Sequence, residues 1–115
     1  MQIHQENRED IWLVELLGRL DEMAAGEVEQ AFLAVLDEET EKVLLDMTDV
    51  EYISSSGLRV LLMLLRALKQ RRGALKICGL SPFVAEVFAI SNFQTLFDVY
   101  ANREDAWKAF GIDTA

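Results

Sequence analysis

The 115-residue chain contains only one cysteine, one histidine and one proline. Because Cys78 is alone, no disulfide can form within the chain. Cys78 and His4 are also too few for a typical zinc site, which clusters four ligands. His4 lies in a polar N-terminal stretch, which argues against a Ser-His-Asp triad. We therefore expect a protein that is not an enzyme and holds neither a metal nor a cofactor.

Long apolar runs and basic residues are also scarce. The longest apolar run, Val60 to Leu65, is about a third of a membrane span. The first ten residues lack the apolar segment of a signal peptide. The chain has 11 Lys and Arg against 20 Asp and Glu, a formal net charge of −9 that repels nucleic acids and anionic lipids. We expect a cytoplasmic protein whose partner is a protein with basic contact residues, with no nucleic acid bound and no direct membrane insertion.

The length predicts one domain over residues 1–115, and 51% hydrophobic residues suffice for a core. Strand-like and helix-like patterns alternate in the order ββαβαβαβα, which predicts an α/β fold with a mixed central sheet and packed helices. The strands are predicted at residues 2–7, 11–17, 42–47, 74–79 and 96–100. The helices are predicted at residues 22–38, 57–72, 82–91 and 103–110. Gly73 is the expected C′ residue of the second helix, the position that is usually left-handed, and Asn92 ends the third in the left-handed conformation.

Three consecutive serines, Ser54, Ser55 and Ser56, end the predicted polar loop 48–56 and enter the second helix. A helix N-terminus offers unpaired N–H groups and a partial positive charge, which favour an exposed hydroxyl or a phosphate. One serine is enough for an N-cap, although capping alone remains a possible role for all three. Since no suitable base is nearby, such a hydroxyl is better suited as a substrate of another enzyme than as a nucleophile.

The second helix carries a polar stripe beside these serines. Arg59 and Arg66 are seven residues apart and therefore share a face, which Leu62 and Met63 flank. Exposed apolar residues in this position often contact a partner protein, but both side chains could equally pack against a neighbouring helix. The sequence leaves these two alternatives open.

Several spaced motifs carry a family likeness. The stretches 43–46 (VLLD) and 50–58 (VEYISSSGL) resemble the signature of STAS domains and, more narrowly, of bacterial anti-sigma-factor antagonists. The landmarks 17–21 (LGRLD), 78–82 (CGLSP) and 90–93 (ISNF) agree with it in order along the chain. The resemblance implies a STAS fold, with a mixed sheet and helices packed on it.

The resemblance also implies a regulatory switch. In its unphosphorylated form such a protein binds an anti-sigma factor that is also a serine kinase, and this frees a sigma factor. Phosphorylation of one serine breaks the complex, and a serine phosphatase restores it. The family pattern puts the phosphate acceptor at Ser55, with Ser54 and Ser56 as alternatives because Ser54 stands where the family usually has aspartate. The expected partner surface comprises Asp21, Asp46, Ser54, Ser55, Ser56, Gly57, Leu58, Arg59, Leu62 and Met63.

Two other functions compete with the switch. A constitutive STAS adaptor subunit of a lipid-transport ABC system would use the same helix surface without any phosphate. An enzyme or nucleotide-binding protein is disfavoured, because the sequence offers no base, no metal ligand set and no glycine-rich phosphate loop.

Overall fold

A computed structural model describes residues 1–36 and 39–111. The strands are β1 Gln2–Arg8, β2 Ile11–Leu20, β3 Lys42–Ile53, β4 Ala74–Cys78 and β5 Asp98–Tyr100. The helices are α1 Glu22–Val35, α2 Ser55–Gln70, α3 Pro82–Ile90 and α4 Arg103–Ala109, with a short 3₁₀ helix at Phe93–Thr95. The predicted α/β class and element order are confirmed.

The five strands form one mixed sheet in the spatial order β1-β2-β3-β4-β5. β1 is antiparallel to β2, and the other neighbouring strands are parallel. Since parallel neighbours need crossover connections, α1, α2 and α3 each return the chain to the next strand. The first helical layer buries side chains such as Phe32, Leu61 and Phe88 against the sheet, whereas Trp107 of α4 packs in a separate cluster with Leu44.

Two strands extend beyond their predicted ends. β2 extends beyond the predicted end at Leu17 to Leu20, and β3 continues from Met47 to Ile53 through the predicted loop. These extensions pair with each other through two register shifts, whereas β4 accompanies β3 only as far as Asp46. The loop prediction was wrong because a strand segment with one free edge tolerates polar residues that a central strand would exclude.

The ends of the helices also differ from the predictions. α2 begins at Ser55 rather than Gly57 and ends at Gln70. The left-handed residue after α2 is Arg72, with φ 57°, and not Gly73 as predicted. Asn92 adopts the predicted left-handed conformation, with φ 64°. The predicted end of the first helix, Glu38, lies outside the described residues.

None of the helices in the described part of the chain is both long and apolar enough to cross a bilayer.

Candidate functional site

The helices α1 and α2 start side by side at the carboxyl ends of the neighbouring strands β2 and β3. β2 and β3 end together, with Leu20 paired to Ile53, and the Ser54 N–H donates to the Leu20 carbonyl oxygen at 2.9 Å. Asp21 and Ser54 then serve as the N-caps of α1 and α2. Because these parallel strands end at paired residues, they bring Asp21 and the serines to the same end of the sheet.

The three serines have different environments. The Ser54 Oγ accepts a hydrogen bond from the Gly57 N–H at 3.1 Å and so caps α2. Ser55, the first residue of the helix, is exposed, whereas Ser56 is half-buried. Because Ser54 already satisfies the cap, the Ser55 hydroxyl is not needed for it. Of the three, Ser55 is the serine that solvent or another protein reaches most freely.

Gly57 and Leu58 hold this helix start against the strands. Both are buried, and a Cβ on Gly57 would lie only 2.8 Å from Leu20 Cγ and 2.9 Å from Ile53 Cγ1. The glycine therefore lets α2 approach β2 and β3 closely. Burial leaves Gly57 and Leu58 little area to offer a partner, and their expected place in the contact surface stays a prediction.

Farther along α2, Arg59 and Arg66 are exposed as expected. Leu62 and Met63 are half-buried and pack against the main core cluster. The sequence left open whether these residues contact a partner or pack within the molecule, and their half-buried position is compatible with both. Each side chain contacts the core and keeps some surface facing outward.

Asp46 lies away from the serines. The residue is only about 5% exposed. Its side chain accepts hydrogen bonds from the Thr48 N–H and hydroxyl and pairs with Arg103 of α4, which also bonds Glu15. Burial raises the Asp46 pKa, but the hydrogen bonds from Thr48 and Arg103 outweigh burial and hold that pKa below its ordinary value. Asp46 joins α4 to the sheet through Arg103, and its expected contact with a partner stays a prediction.

An aromatic stack lies beside the helix start and was missed by the sequence reasoning. The Arg19 guanidinium lies 4.3 Å from the centre of the Tyr52 ring, and Tyr52 stacks on Phe83 with ring centres 5.8 Å apart. Phe83 remains 48% exposed at the start of α3. The available signal was Phe83 directly after a Ser-Pro helix start, but nothing in the sequence linked it to Tyr52.

The described residues offer no constellation for catalysis at the serines. No group of three or more His, Cys, Asp or Glu in the described ranges could hold a metal ion. His4 pairs with Glu15 across β1 and β2, with 3.2 Å between Nδ1 and Oε1, and is not hydrogen-bonded to a serine. The start of α2 is therefore a surface that exposes the Ser55 hydroxyl.

A sequence profile for the STAS domain matches residues 2–106. The chain belongs to the STAS domain family. This confirms the resemblance found in the sequence, and the five-stranded sheet with its four helices is accordingly a STAS fold. In this STAS domain, the motif that carried the resemblance forms the end of β3 and the start of α2.

Relatives of this STAS domain are named as anti-sigma factor antagonists. BtrV of Bordetella bronchiseptica, described as a candidate antagonist of this kind, is 41% identical over 95 residues, covering 83% of this chain and 82% of BtrV. The anti-sigma F factor antagonist of Paenibacillus polymyxa is 26% identical over 107 residues, or 92% of each chain.

The fold is shared more widely still. The crystal structure of a Thermotoga maritima protein, described as a candidate anti-sigma factor antagonist, superposes with a TM-score of 0.88 at 18% identity, covering 93% of this chain and 92% of that one. At this level of identity the match demonstrates the common fold.

Proposed function

We propose that this STAS domain is an anti-sigma factor antagonist controlled by phosphorylation of Ser55. Its unphosphorylated form binds an anti-sigma factor that is also a serine kinase, and a sigma factor is released. The single observation that carries the proposal is the exposed Ser55 at the first position of α2, with its cap already supplied by Ser54. Relatives named as anti-sigma factor antagonists support the choice of partner.

The proposed chemistry is a single group transfer carried out by the partner. The γ-phosphoryl group of ATP forms a bond to Ser55 Oγ, ADP leaves, and the hydroxyl proton is released. The phosphoserine side chain carries about −1.5 to −2 charges and three acceptor oxygens. At a contact surface, this bulky dianion displaces the partner without any change of fold. A serine phosphatase removes the phosphate and restores binding.

The first experiment maps the acceptor. The purified protein is incubated with ATP and, in turn, with each anti-sigma factor of the serine-kinase type encoded in its genome, and phosphate is located by mass spectrometry. We expect modification of Ser55 and none after Ser55→Ala. Phosphate on Ser54 or Ser56 would move the acceptor within the motif, and an unmodified motif would overturn the proposal.

The second experiment measures partner binding. We expect Ser55→Asp to weaken binding by about 30-fold or more, the effect of losing a close desolvated contact. Ser55→Ala should bind like wild type. Ser91→Asp, at an exposed serine after α3, is the matched control for added charge and should leave affinity unchanged. If the protein bound a transporter ATPase with the same affinity before and after Ser55→Asp, this result would instead support the constitutive adaptor.

A further inference from the structure

Charge is strongly segregated along this acidic chain. Residues 52–85 contain six basic and no acidic residues, while all 20 acidic residues lie outside that segment. Within it, α2 carries Arg59, Arg66 and Lys69. The expectation of an acidic contact surface facing a basic partner therefore does not fit the helix that begins at the serines.

The basic side chains of α2 share one face. We define the α2 ridge as the exposed residues Arg59, Arg66, Lys69 and Gln70. At 3.6 residues per turn these four positions fall on one side of the helix, and at 1.5 Å per residue they extend over about 17 Å. Ser55 lies on the same side, one turn before Arg59. The ridge is therefore a straight continuation of the surface that carries the proposed acceptor.

The cations of the α2 ridge have no partner in the described part of the molecule. Arg103, Lys76 and Arg8 form ion pairs with carboxylates, whereas no ion pair or hydrogen bond joins Arg59 or Arg66 to a described residue. The helix dipole accounts for Lys69 in the last turn, since cations are favourable there. It does not account for Arg59 in the second turn, so the fold itself does not explain this charge.

We propose that the α2 ridge docks an acidic surface patch on the protein partner. This inference rests on the proposed function and adds the chemistry of the partner's contact surface. The half-buried Leu62 and Met63 lie between the arginines and supply the apolar part of the contact. An acidic patch about as long as the ridge matches both features.

Charge around the α2 ridge favours a protein over a nucleic acid or a membrane. α1 packs beside α2 and exposes Glu22 and Glu29, and the extension of β3 exposes Asp49 and Glu51. A DNA duplex or an anionic bilayer extends beyond the ridge and meets these carboxylates, which repel it. A folded protein can present its acidic residues to the ridge alone.

The ridge also gives the phosphate a second effect. Side chains four residues apart on a helix are neighbours, and the Arg59 side chain leans toward the helix N-terminus and hence toward Ser55. A phosphate on Ser55 therefore neutralises the first cation of the ridge. The partner's acidic patch then meets a dianion where it met an arginine.

The decisive test uses charge reversal on the ridge away from the serines. Binding of the anti-sigma factor that phosphorylates Ser55 is measured by calorimetry for Arg66→Glu/Lys69→Glu and for Lys42→Glu/Lys108→Glu, an exposed control pair with the same change in net charge. We expect the ridge variant to weaken binding about tenfold or more at low salt and the control by less than about twofold. High salt should shrink the difference.

The outcomes separate this inference from the proposed function. Equal effects of the two pairs, with Ser55→Asp still blocking binding, would overturn the α2 ridge and leave the switch standing. Loss of sensitivity to Ser55→Asp would overturn the switch instead.

A second measurement tests the ridge without any anti-sigma factor. Amide shifts of the whole protein are recorded with an octaglutamate peptide, a short DNA duplex and phosphatidylglycerol vesicles at low salt. We expect octaglutamate to shift the amides around Arg59 and Arg66, and Arg66→Glu/Lys69→Glu to remove those shifts. No shift on α2 with the peptide, or a stronger shift with DNA or vesicles, would contradict an acidic protein as the occupant.

Discussion

Gly57 sets how closely α2 approaches the strands that carry it. A Cβ at this position would lie 2.8 Å from Leu20 Cγ and 3.0 Å from the Leu20 carbonyl oxygen. Gly57→Ala should therefore lower the free energy of unfolding by about 1–2 kcal/mol, because overpacking outweighs the better helix propensity of alanine. Denaturant unfolding followed by circular dichroism measures this change.

Gly26 is the matched control, since it lies within α1 and a Cβ there would meet nothing within 4 Å. Gly26→Ala should raise the free energy of unfolding by about 0.5–1 kcal/mol. If both substitutions raised the free energy of unfolding, helix propensity and not the close approach would govern Gly57.

Asp46 makes the stability of the fold depend on pH. Its pKa in the folded state is below the ordinary value of 3.8, so it stabilises the fold above about pH 4 and loses this effect as the pH falls through the folded-state pKa. Asp46→Asn should therefore be less stable than wild type at pH 7, by about 1–3 kcal/mol, with the gap closing in acid. Unfolding titrations at several pH values measure the gap.

The control for Asp46 is Asp49, an exposed aspartate on the same strand. Asp49→Asn should leave the stability curve within about 0.5 kcal/mol of wild type at every pH. If the difference in unfolding free energy between wild type and Asp46→Asn stayed constant from neutral to acidic pH, protonation of Asp46 would not be what weakens the fold in acid.

At the scale of elements, helix starts were easier to predict than strand ends. Ser81 with Pro82 and Asn102 each mark a helix start by local chemistry, and the structure has caps at both. The ends of β2 and β3 depend on which strands lie beside them, and this information is spread along the chain. For the same reason the prediction ends the second strand at Leu17, although the strand continues through Gly18, which has φ 118° and lies next to a register shift.

The end of α2 yields a paired prediction. Arg72 occupies the left-handed position, whereas a Cβ on Gly73 would collide with the Glu41 carbonyl oxygen. Arg72→Gly should therefore raise the unfolding free energy by up to about 1 kcal/mol, since glycine adopts positive φ without strain. Gly73→Ala should lower the unfolding free energy by about 1–3 kcal/mol. The new Cβ would collide with backbone atoms of Glu41, which cannot move aside as a flexible side chain can.

Thermal and denaturant unfolding of Arg72→Gly and Gly73→Ala test this assignment. A stabilising Gly73→Ala would mean that the close approach to Glu41 does not require glycine at position 73. A destabilising Arg72→Gly would mean that the positive φ of Arg72 causes no strain. Sequence reasoning had assigned the left-handed role to Gly73 because the close approach to Glu41 is a tertiary contact that local patterns do not reveal.

At the scale of the whole molecule, the motif of the site could be predicted but its surroundings could not. The position of Ser55 at a helix start followed from the local pattern of serines before an apolar helix. The aromatic stack of Tyr52 and Phe83 joins β3 to α3, and the pairing of Asp46 with Arg103 joins residues 57 positions apart. Neither contact has a local signal, so sequence reasoning predicted neither the Asp46–Arg103 pair nor the stack of Tyr52 on Phe83.

Cys78 reports on the cooperativity of the whole fold. It is fully buried on β4 between β3 and β5, and burial together with the nearby Asp46 carboxylate raises the pKa of its thiol to about 12. Because the thiolate is the reactive form, iodoacetamide at pH 8 should label Cys78 almost entirely through unfolded molecules. The labelling rate should then follow stability, and each 1.4 kcal/mol should change it about tenfold.

Gly57→Ala should accordingly label Cys78 faster than wild type and Gly26→Ala more slowly, in proportion to their unfolding free energies. Mass spectrometry of samples quenched over time measures the three rates in one experiment. Equal labelling rates for the three proteins would mean that β4 opens locally while α2 stays packed on β3. A correlation with stability would instead make the sheet and the helix that carries Ser55 one cooperative unit. In that case Ser55 is presented on a rigid surface, and its phosphate acts on the partner rather than on the fold.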